Sequence, residues 1–367
     1  YADASRVLTL AARLGGNTAE GLFEVATVTF AEGDFRAAQR ACRALAKAHE
    51  GHPLVHVCNA HAFLVRNRSA RAFEELEGVL EKDPNHVEAL LALGEAHRKR
   101  ASISDAEEAY QKAASLDPGN PEPHLGLGRL YLMARRTKDG IASLRRALSL
   151  DAESPEVLFE IGRALADTDE GRAFLTRAAE AQPGSAEAQL ALGQVLLDRG
   201  DPKGAEVAFR AAIKANKGLA DARIGLAEAL LGQDDLAGAE RELEGALAMV
   251  ENAPRAVLLR ARVYSKTDRV EEAFKEFQRA ASLDPRNPEP LNEAAEQALA
   301  LGRDVLGAAF LDRLLSRHPN NARGLALYGD VMKSRSKPDE ARSYYQRALQ
   351  GDGSLDRMAV QKKLNAL

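Results

Sequence analysis

The sequence contains no tryptophan, and aromatic residues make up only 5% of its 367 residues. It has two cysteines, Cys42 and Cys58, which are too few for the disulfide framework of a small secreted domain. We therefore expect unpaired thiols and a reducing compartment, with Cys42 as an inert thiol buried on a helix. Because alanine dominates the apolar residues, the composition favours helices that pack closely on small side chains.

No apolar run reaches the length of a membrane-spanning helix, and no signal peptide is visible. Neither sign of charge dominates, since 50 basic and 54 acidic residues give a net charge of −4. A slightly acidic chain in which basic and acidic residues are interleaved does not attract a polyanion, so nucleic acid is not expected as a partner. The cytoplasm is the expected location, with the periplasm as the alternative. The first residue is Tyr1 rather than methionine, which indicates a fragment or processed chain with any upstream targeting segment unseen.

Catalytic motifs are also missing. The sequence has neither a phosphate loop ending in GKS or GKT nor a GxSxG nucleophile elbow. His52 and His56 are separated by Pro53, where a helix would start, and His61 faces away from His56 on a helix. A metal site built from these histidines is therefore disfavoured against ordinary buried or surface positions. We expect no catalytic, cofactor-binding or metal-binding residue, and hence no enzyme.

A repeat of 34 residues accounts for most of the chain. The segment that starts at Leu91 is similar to the segment that starts 34 residues later at Leu125. The same frame gives ten repeats, of which the fifth has 31 residues. The repeats are 19–52, 53–86, 87–120, 121–154, 155–185, 186–219, 220–253, 254–287, 288–321 and 322–355. Positions within a repeat are called places below, counted from its first residue.

Places 8 and 20 are always glycine or alanine. Place 8 is Ala26, Ala60, Gly94, Gly128, Gly162, Gly193, Ala227, Ala261, Ala295 and Gly329. Place 20 is Ala38, Ala72, Ala106, Gly140, Ala205, Ala239, Ala273, Gly307 and Ala341, with Gly171 in the short repeat. Two antiparallel helices need such small residues where they cross closely. A large apolar residue, such as Leu76 or Tyr110, follows four residues after place 20 and lies on the same helical face.

This pattern resembles the tetratricopeptide repeat family over residues 19–355. One departure is place 4, usually tryptophan in the family, which is polar in four repeats here. The resemblance implies an all-α fold, a right-handed superhelical solenoid of stacked antiparallel helix pairs. Residues 1–18 are expected to hold the second helix of a truncated upstream repeat at 3–14. Residues 356–367 are expected to form a capping helix with Lys362 and Lys363 exposed.

In this family the first helix of each repeat lines a concave groove, with places 2, 5, 9 and 12 facing it. We predict a partner-binding strip in the middle of the groove, in which Arg129 and Arg163 pair with the partner's carboxylates. The predicted residues are Leu91, Glu95, Leu125, Arg129, Leu132, Phe159, Arg163, Leu190, Gln194 and Ile224. The alternative is that places 5 and 12 pack between neighbouring first helices and leave little apolar surface exposed.

Two further features limit the prediction. No three consecutive repeats supply the lysine, asparagine and arginine set of the family's carboxylate clamp, so the tails of heat-shock chaperones are disfavoured partners. The short fifth repeat has lost three residues near the turn between its helices. That loss is either a harmless trimmed turn or a change of pitch that shapes the groove.

The sequence thus predicts a scaffold or adaptor that binds a helical or extended protein segment. Arginine outnumbers lysine 36 to 14, which indicates a bacterial source. By analogy with similar arrays, the scaffold serves a motility, secretion or envelope machine, or acts as an effector of a small GTPase. The alternatives are a regulatory arm of a larger enzyme and a periplasmic array that guides an exported polymer.

Overall fold

The computed structural model describes residues 17–31 and 33–367. The helix predicted at 3–14 lies outside these residues. The described part of the chain holds 21 helices, and its only strand-like pairing is a single bridge between Asn321 and Asp352. The all-α prediction is confirmed.

The chain divides into an N-terminal unit, Tyr1–Ala191, and a C-terminal unit, Leu192–Leu367. The helices of the N-terminal unit are α1 (Ala19–Ala31), α2 (Phe35–Ala48), α3 (Pro53–Val65), α4 (Ser69–Leu80), α5 (Val87–Lys99), α6 (Ile103–Leu116), α7 (Glu122–Met133), α8 (Thr137–Leu150), α9 (Pro155–Ala164) and α10 (Asp169–Ala181). The division falls within α11 (Ala186–Asp198). The helices of the C-terminal unit are α12 (Pro202–Ala215), α13 (Ala220–Gly232), α14 (Leu236–Met249), α15 (Pro254–Lys266), α16 (Val270–Leu283), α17 (Glu289–Ala300), α18 (Asp304–Arg317), α19 (Ala322–Ser334), α20 (Pro338–Gln350) and α21 (Arg357–Asn365).

Within each unit, consecutive helices pack as hairpins that stack one on the next. The two helices of a repeat contact each other most extensively, and the second helix also contacts the first helix of the following repeat. Successive first helices also contact each other, as α3 and α5 do in the N-terminal unit and α13 and α15 in the C-terminal unit. Each hairpin therefore buries its apolar faces against its neighbours, which is the packing expected of a helical solenoid.

The small residues at place 8 face a large side chain of the same repeat. A Cβ atom added to Gly94 would lie 2.6 Å from the Tyr110 ring, and one added to Gly128 would lie 2.6 Å from Leu144. Such distances leave no room for a methyl group without movement of the neighbour. Tyr110 also covers Gly126 at place 6 of the next repeat, where an added Cβ would lie 2.5 Å from its ring. One ring therefore fills the space between two repeats.

The turn inside most hairpins depends on a residue at place 15 in the left-handed region. Glycine occupies this place in three repeats, at Gly33, Gly200 and Gly302. Six others place a side chain there with φ between 55° and 64°: Asn67, Ala101, Arg135, Asp234, Asp268 and Ser336. The fifth repeat has no residue of positive φ, so its shortened turn has a different geometry.

The structure corrects the expectation of free thiols. Cys42 of α2 and Cys58 of α3 form a disulfide, with their Cα atoms 5.7 Å apart, and the described residues contain no free cysteine. The bond joins the first repeat to the second across a sequence separation of 16 residues. Closing a loop of this length stabilises a fold by about 3 kcal/mol in the chain-entropy model.

The C-terminal helix α21 contacts α20, the second helix of the last repeat. Lys362 is exposed, whereas Lys363 forms an ion pair of 2.7 Å with Asp330 at place 9 of that repeat. Val360 of α21 is buried, at 3% exposure. The helix thus covers the final hairpin.

The packing of Tyr110 on Gly94 makes a stability prediction. We expect Gly94→Ala to lower the free energy of unfolding by about 1–3 kcal/mol, because the added methyl group overpacks the site. Gly78 is the matched control, since a Cβ added to it meets nothing within 4 Å. Gly78→Ala should raise the free energy of unfolding by up to about 1 kcal/mol through helix propensity. Urea denaturation followed by circular dichroism measures both changes.

A double-mutant cycle isolates the steric cause. The three atoms nearest to a Cβ added at Gly94 all belong to the Tyr110 ring. In a Tyr110→Ala background, which removes the ring, Gly94→Ala should therefore cost almost nothing. An equal loss in both backgrounds would show that the ring is not what requires glycine.

Candidate functional site

The groove-facing places lie on the first helices, which pack side by side within each unit. The place 5 residues Leu125 and Ile224 are only 2% and 4% exposed, and Leu91, Phe159 and Leu190 are partly buried. At Leu125 and Ile224 the burial supports the alternative in which place 5 packs within the protein. The predicted apolar strip is therefore interrupted at these two positions.

Glu95 at place 9 of the third repeat accepts hydrogen bonds from one residue of its own helix and one of the second helix of the same hairpin. Arg98 donates to it through two hydrogen bonds of 2.7 Å, from Nε and Nη2. The Tyr110 hydroxyl donates to the same carboxylate over 3.4 Å. Burial raises the pKa of Tyr110 far above its ordinary value, so the hydroxyl keeps its proton and remains a donor. Glu95 is thus neutralised by Arg98.

Arg129 and Arg163, at place 9 of the next two repeats, share one carboxylate. Arg129 Nε donates to Glu160 over 2.8 Å, and Arg163 lies 3.9 Å from the other oxygen of Glu160. The Arg163 side chain is 58% exposed, and its guanidinium lies 5.4 Å from the centre of the Phe159 ring. Such a stacked arginine keeps its hydrogen-bond donors available while the ring limits its movement.

These residues line a pocket of about 510 Å³ in the N-terminal unit. Its walls are Arg98, Arg129, Leu132, Met133, Glu160, Arg163 and Ala164. The lining thus contains three arginines and one glutamate, and Leu132 and Met133 supply an apolar wall. Among the lining residues the positive charge exceeds the negative charge by two.

The pocket brings together Arg129, Leu132 and Arg163 of the predicted strip. Leu91, Glu95, Leu125, Phe159 and Leu190 belong to the same unit but do not line the pocket. Gln194 and Ile224 lie in the C-terminal unit, where Gln194 accepts a bond of 3.2 Å from Arg255. Arg98 falls at the groove-facing place 12 but was not among the residues predicted, and Glu160 at place 6 falls outside the groove-facing places. Looking in the sequence for a glutamate that could pair with Arg129 from the next first helix would have pointed to Glu160.

The first helices of the C-terminal unit carry ion pairs that neutralise their arginines. Arg255 pairs with Glu228, and Arg262 donates to Glu293 with a shortest distance of 2.6 Å. Arg323 binds Glu296 at 2.6 Å and Glu289 at 2.8 Å. Each of these arginines thus has a close carboxylate partner on a neighbouring first helix.

A second pocket of about 570 Å³ lies beside α3 and α4. It is lined by His56, Phe63, Arg71, Glu74, Glu75, Gly78, Glu81 and Lys82. His56 Nδ1 lies 2.6 Å from Glu75. The described residues contain no group of three or more His, Cys, Asp or Glu side chains that could hold a metal ion. This pocket is therefore a mixed-charge surface.

His61 at place 9 of the second repeat has an apolar environment. Its ring centre lies 6.1 Å from that of Phe23 and 6.0 Å from that of Phe30. Burial lowers the pKa of His61 to about 4, while Glu95 raises it and Lys99 lowers it further. The imidazole is therefore neutral at physiological pH.

Comparison with family models gives a consistent result along the chain. Models described as tetratricopeptide repeat match residues 101–158 and 196–263, residues 59–121 and 166–220, and residues 254–287. Together they cover residues 59–158 and 166–287. A search of curated protein sequences gave no match.

Solved structures with a similar fold include pilF of Pseudomonas aeruginosa and yeast Tom70. The pilF structure is 21% identical, covers 57% of this chain and 97% of its own, and superposes with a TM-score of 0.51. Tom70 is 12% identical and covers 95% of both chains, with a TM-score of 0.49. At this level of identity the pilF match shows a common fold. In the part of the chain that is described, no helix has the length and apolarity needed to cross a bilayer.

The partly buried imidazole of His61 makes the stability of the chain sensitive to acid. The folded state holds His61 neutral down to about pH 4, whereas the unfolded state takes up a proton near the ordinary histidine pKa of 6.5. Its contribution is complete above pH 6.5 and is lost as the pH falls towards 4. Between pH 7.5 and 5 we expect wild type to lose up to about 2 kcal/mol more stability than His61→Gln.

Urea denaturation of both proteins across this pH range measures the difference, and the other histidines cancel in the comparison. Parallel stability curves for wild type and His61→Gln would show that His61 titrates normally in the folded state.

Proposed function

We propose, from the premise that this chain belongs to the tetratricopeptide repeat family, that it is a protein-interaction scaffold that binds an acidic segment of a partner protein. The pocket lined by Arg98, Arg129 and Arg163 in the N-terminal unit receives that segment. The chain itself carries out no chemistry in this proposal. Its contribution is to hold the partner in place.

The observation that carries the proposal is the surplus of guanidinium groups in the pocket. Arg98 and Arg129 are bound to Glu95 and Glu160, but the exposed Arg163 is left with one carboxylate at 3.9 Å. An incoming carboxylate can accept hydrogen bonds from Arg163 without displacing either of the short ion pairs. Charge-assisted bonds of this kind are stronger than neutral ones and fix the orientation of the ligand.

The shape of the pocket supports an extended or helical segment over a small molecule. Its lining residues come from the successive first helices α5, α7 and α9, so a ligand that touches all of them follows the groove. Leu132 and Met133 supply apolar contact beside the charges. Peptide recognition in grooves commonly combines apolar anchors with charged pairs in this way.

The effect of charge reversal tests the proposal. In Arg129→Glu with Arg163→Glu, the pocket changes from a net positive to a net negative lining, and we expect partner capture in a pull-down to fall at least about tenfold. The matched control is Lys138→Glu with Arg146→Glu, which reverses two exposed charges on α8. Capture by the control should be unchanged.

Circular dichroism confirms that each variant is folded, and the milder Arg163→Ala is used if the double reversal unfolds. A partner retained by folded pocket variants would disprove binding at this pocket. Equal losses in the pocket and control variants would point to a general charge effect.

The disulfide, unlike the expected free thiols, supports a proposal for the compartment. Disulfides persist in oxidising compartments and are rare in the cytosol. The Cys42–Cys58 bond therefore supports the periplasm, and among the candidate machines it supports those of secretion and envelope assembly.

Thiol trapping in the native host tests the compartment. Cells are quenched with acid, and the denatured protein is alkylated with a maleimide of high mass before any reduction. We expect no mass shift without reductant and two added groups after reduction, because both cysteines are paired. A protein that is alkylated before reduction would place the chain in a reducing compartment.

A further inference from the structure

The fifth repeat lacks the last turn of its first helix. Helix α9 has 10 residues, whereas the neighbouring first helices α5 and α7 have 13 and 12. Gly162 and Gly171 are nine residues apart, against twelve for Gly128 and Gly140 in the fourth repeat. The missing residues are therefore those that end the first helix and make the left-handed turn.

In two other repeats a lysine that ends the first helix contacts the end of the preceding first helix. Lys99, at the end of α5, donates from Nζ to the carbonyl of Leu64 near the end of α3, over 3.1 Å. In the C-terminal unit, Lys266 at the end of α15 pairs with Asp234, just beyond α13, at 3.0 Å. Both lysines stand at place 13, and α9 ends before reaching that place.

Leu132 and Met133, the last two residues of α7, line the pocket on one side. The opposite wall is Arg163 with Ala164, the last residue of α9. The pocket thus lies beside the point where the shortened helix α9 ends.

We propose that the trimmed repeat creates the pocket and that it selects an acidic side chain flanked by an apolar one in the partner's segment. This inference rests on the proposed function and specifies the ligand of the same site. Arg163 is the anchor for the carboxylate, and Leu132 with Met133 receives the apolar neighbour. The Phe159 ring under Arg163 holds the guanidinium towards the ligand.

The charges around the pocket explain why Arg163 is the anchor. Glu95 takes both short hydrogen bonds of Arg98, and Glu160 takes the short bond of Arg129. The remaining arginine, Arg163, lies 3.9 Å from a Glu160 oxygen and is more exposed, at 58%, than Arg98 at 23% or Arg129 at 33%. An acidic ligand therefore gains most at Arg163.

Restoring the missing turn tests the inference directly. Three residues inserted after Ala164 return the spacing of Gly162 and Gly171 to that of the fourth repeat. The control has three residues inserted after Gly119, in the exposed loop between α6 and α7. The probes are fluorescein-labelled peptides of six residues in which glutamate alternates with leucine, and matched peptides in which glutamine replaces glutamate. Binding is followed by fluorescence anisotropy on the full chain.

We expect wild type and the Gly119 insertion to bind the glutamate peptide at least about tenfold more tightly than the glutamine peptide. The Ala164 insertion and Arg163→Gln should both lose that preference while they keep the helical circular dichroism spectrum. If Arg163→Gln loses the preference and the Ala164 insertion keeps it, the trimmed turn does not create the site, although the proposed function stands.

A wild type that shows no preference for glutamate overturns the acidic-ligand inference. The pull-down with the charge-reversal variant is a separate test of the proposed function. If that variant loses the partner, the pocket still binds a protein even though the ligand is not acidic. If the Ala164 insertion is not folded, Met133→Trp replaces it. That variant fills part of the pocket with a larger uncharged side chain, so loss of the preference for glutamate is expected, and unchanged binding contradicts the inference.

Discussion

The close approach of two helices at a glycine or alanine is the contact on which the rest of this structure depends. Where Gly94 meets the Tyr110 ring, an added Cβ would lie at 2.6 Å, so the helices of the hairpin stand as near as the ring allows. The same ring covers Gly126 of the next repeat, and it thereby sets the distance between repeats as well as within one. Each first helix is held in a fixed relation to its neighbours, which is what lets side chains from α5, α7 and α9 converge on one pocket.

Ion pairs then determine which of the converging charges remain available. In the C-terminal unit, Arg262 and Arg323 form ion pairs with glutamates of neighbouring first helices. Their positive charge is therefore neutralised within the protein. In the N-terminal unit, Glu160 lies between two arginines and is bound at 2.8 Å by Arg129, whereas Arg163 lies 3.9 Å from its other oxygen. Arg163 therefore lacks a close carboxylate partner. A groove with equal numbers of arginines and glutamates at these places would offer little to an acidic ligand.

The sequence predicted the repeat frame, the helical hairpins and the small residues, because these features recur with a fixed period. It also placed Arg129 and Arg163 near each other, since both fall at place 9 of consecutive repeats, and both line the pocket. The disulfide was missed because Cys42 and Cys58 belong to different repeats, and only the packing brings their Cα atoms to 5.7 Å. Ala101 and Arg135 gave no sign of a left-handed turn, since residues other than glycine rarely adopt it. The pocket was missed because its walls come from the ends of α7 and α9, which only the packing brings together.

Site-specific photo-crosslinking in the native host tests the central claim, that the pocket between α7 and α9 holds an acidic segment of a partner. A benzophenone amino acid replaces Met133 in the pocket, or Val207 at a 70% exposed position on α12 as the reference. The account predicts that peptides crosslinked at position 133 are rich in aspartate and glutamate next to an apolar residue, and that position 207 yields no such peptides. Crosslinks of the same composition at both positions, or none at position 133, would contradict it.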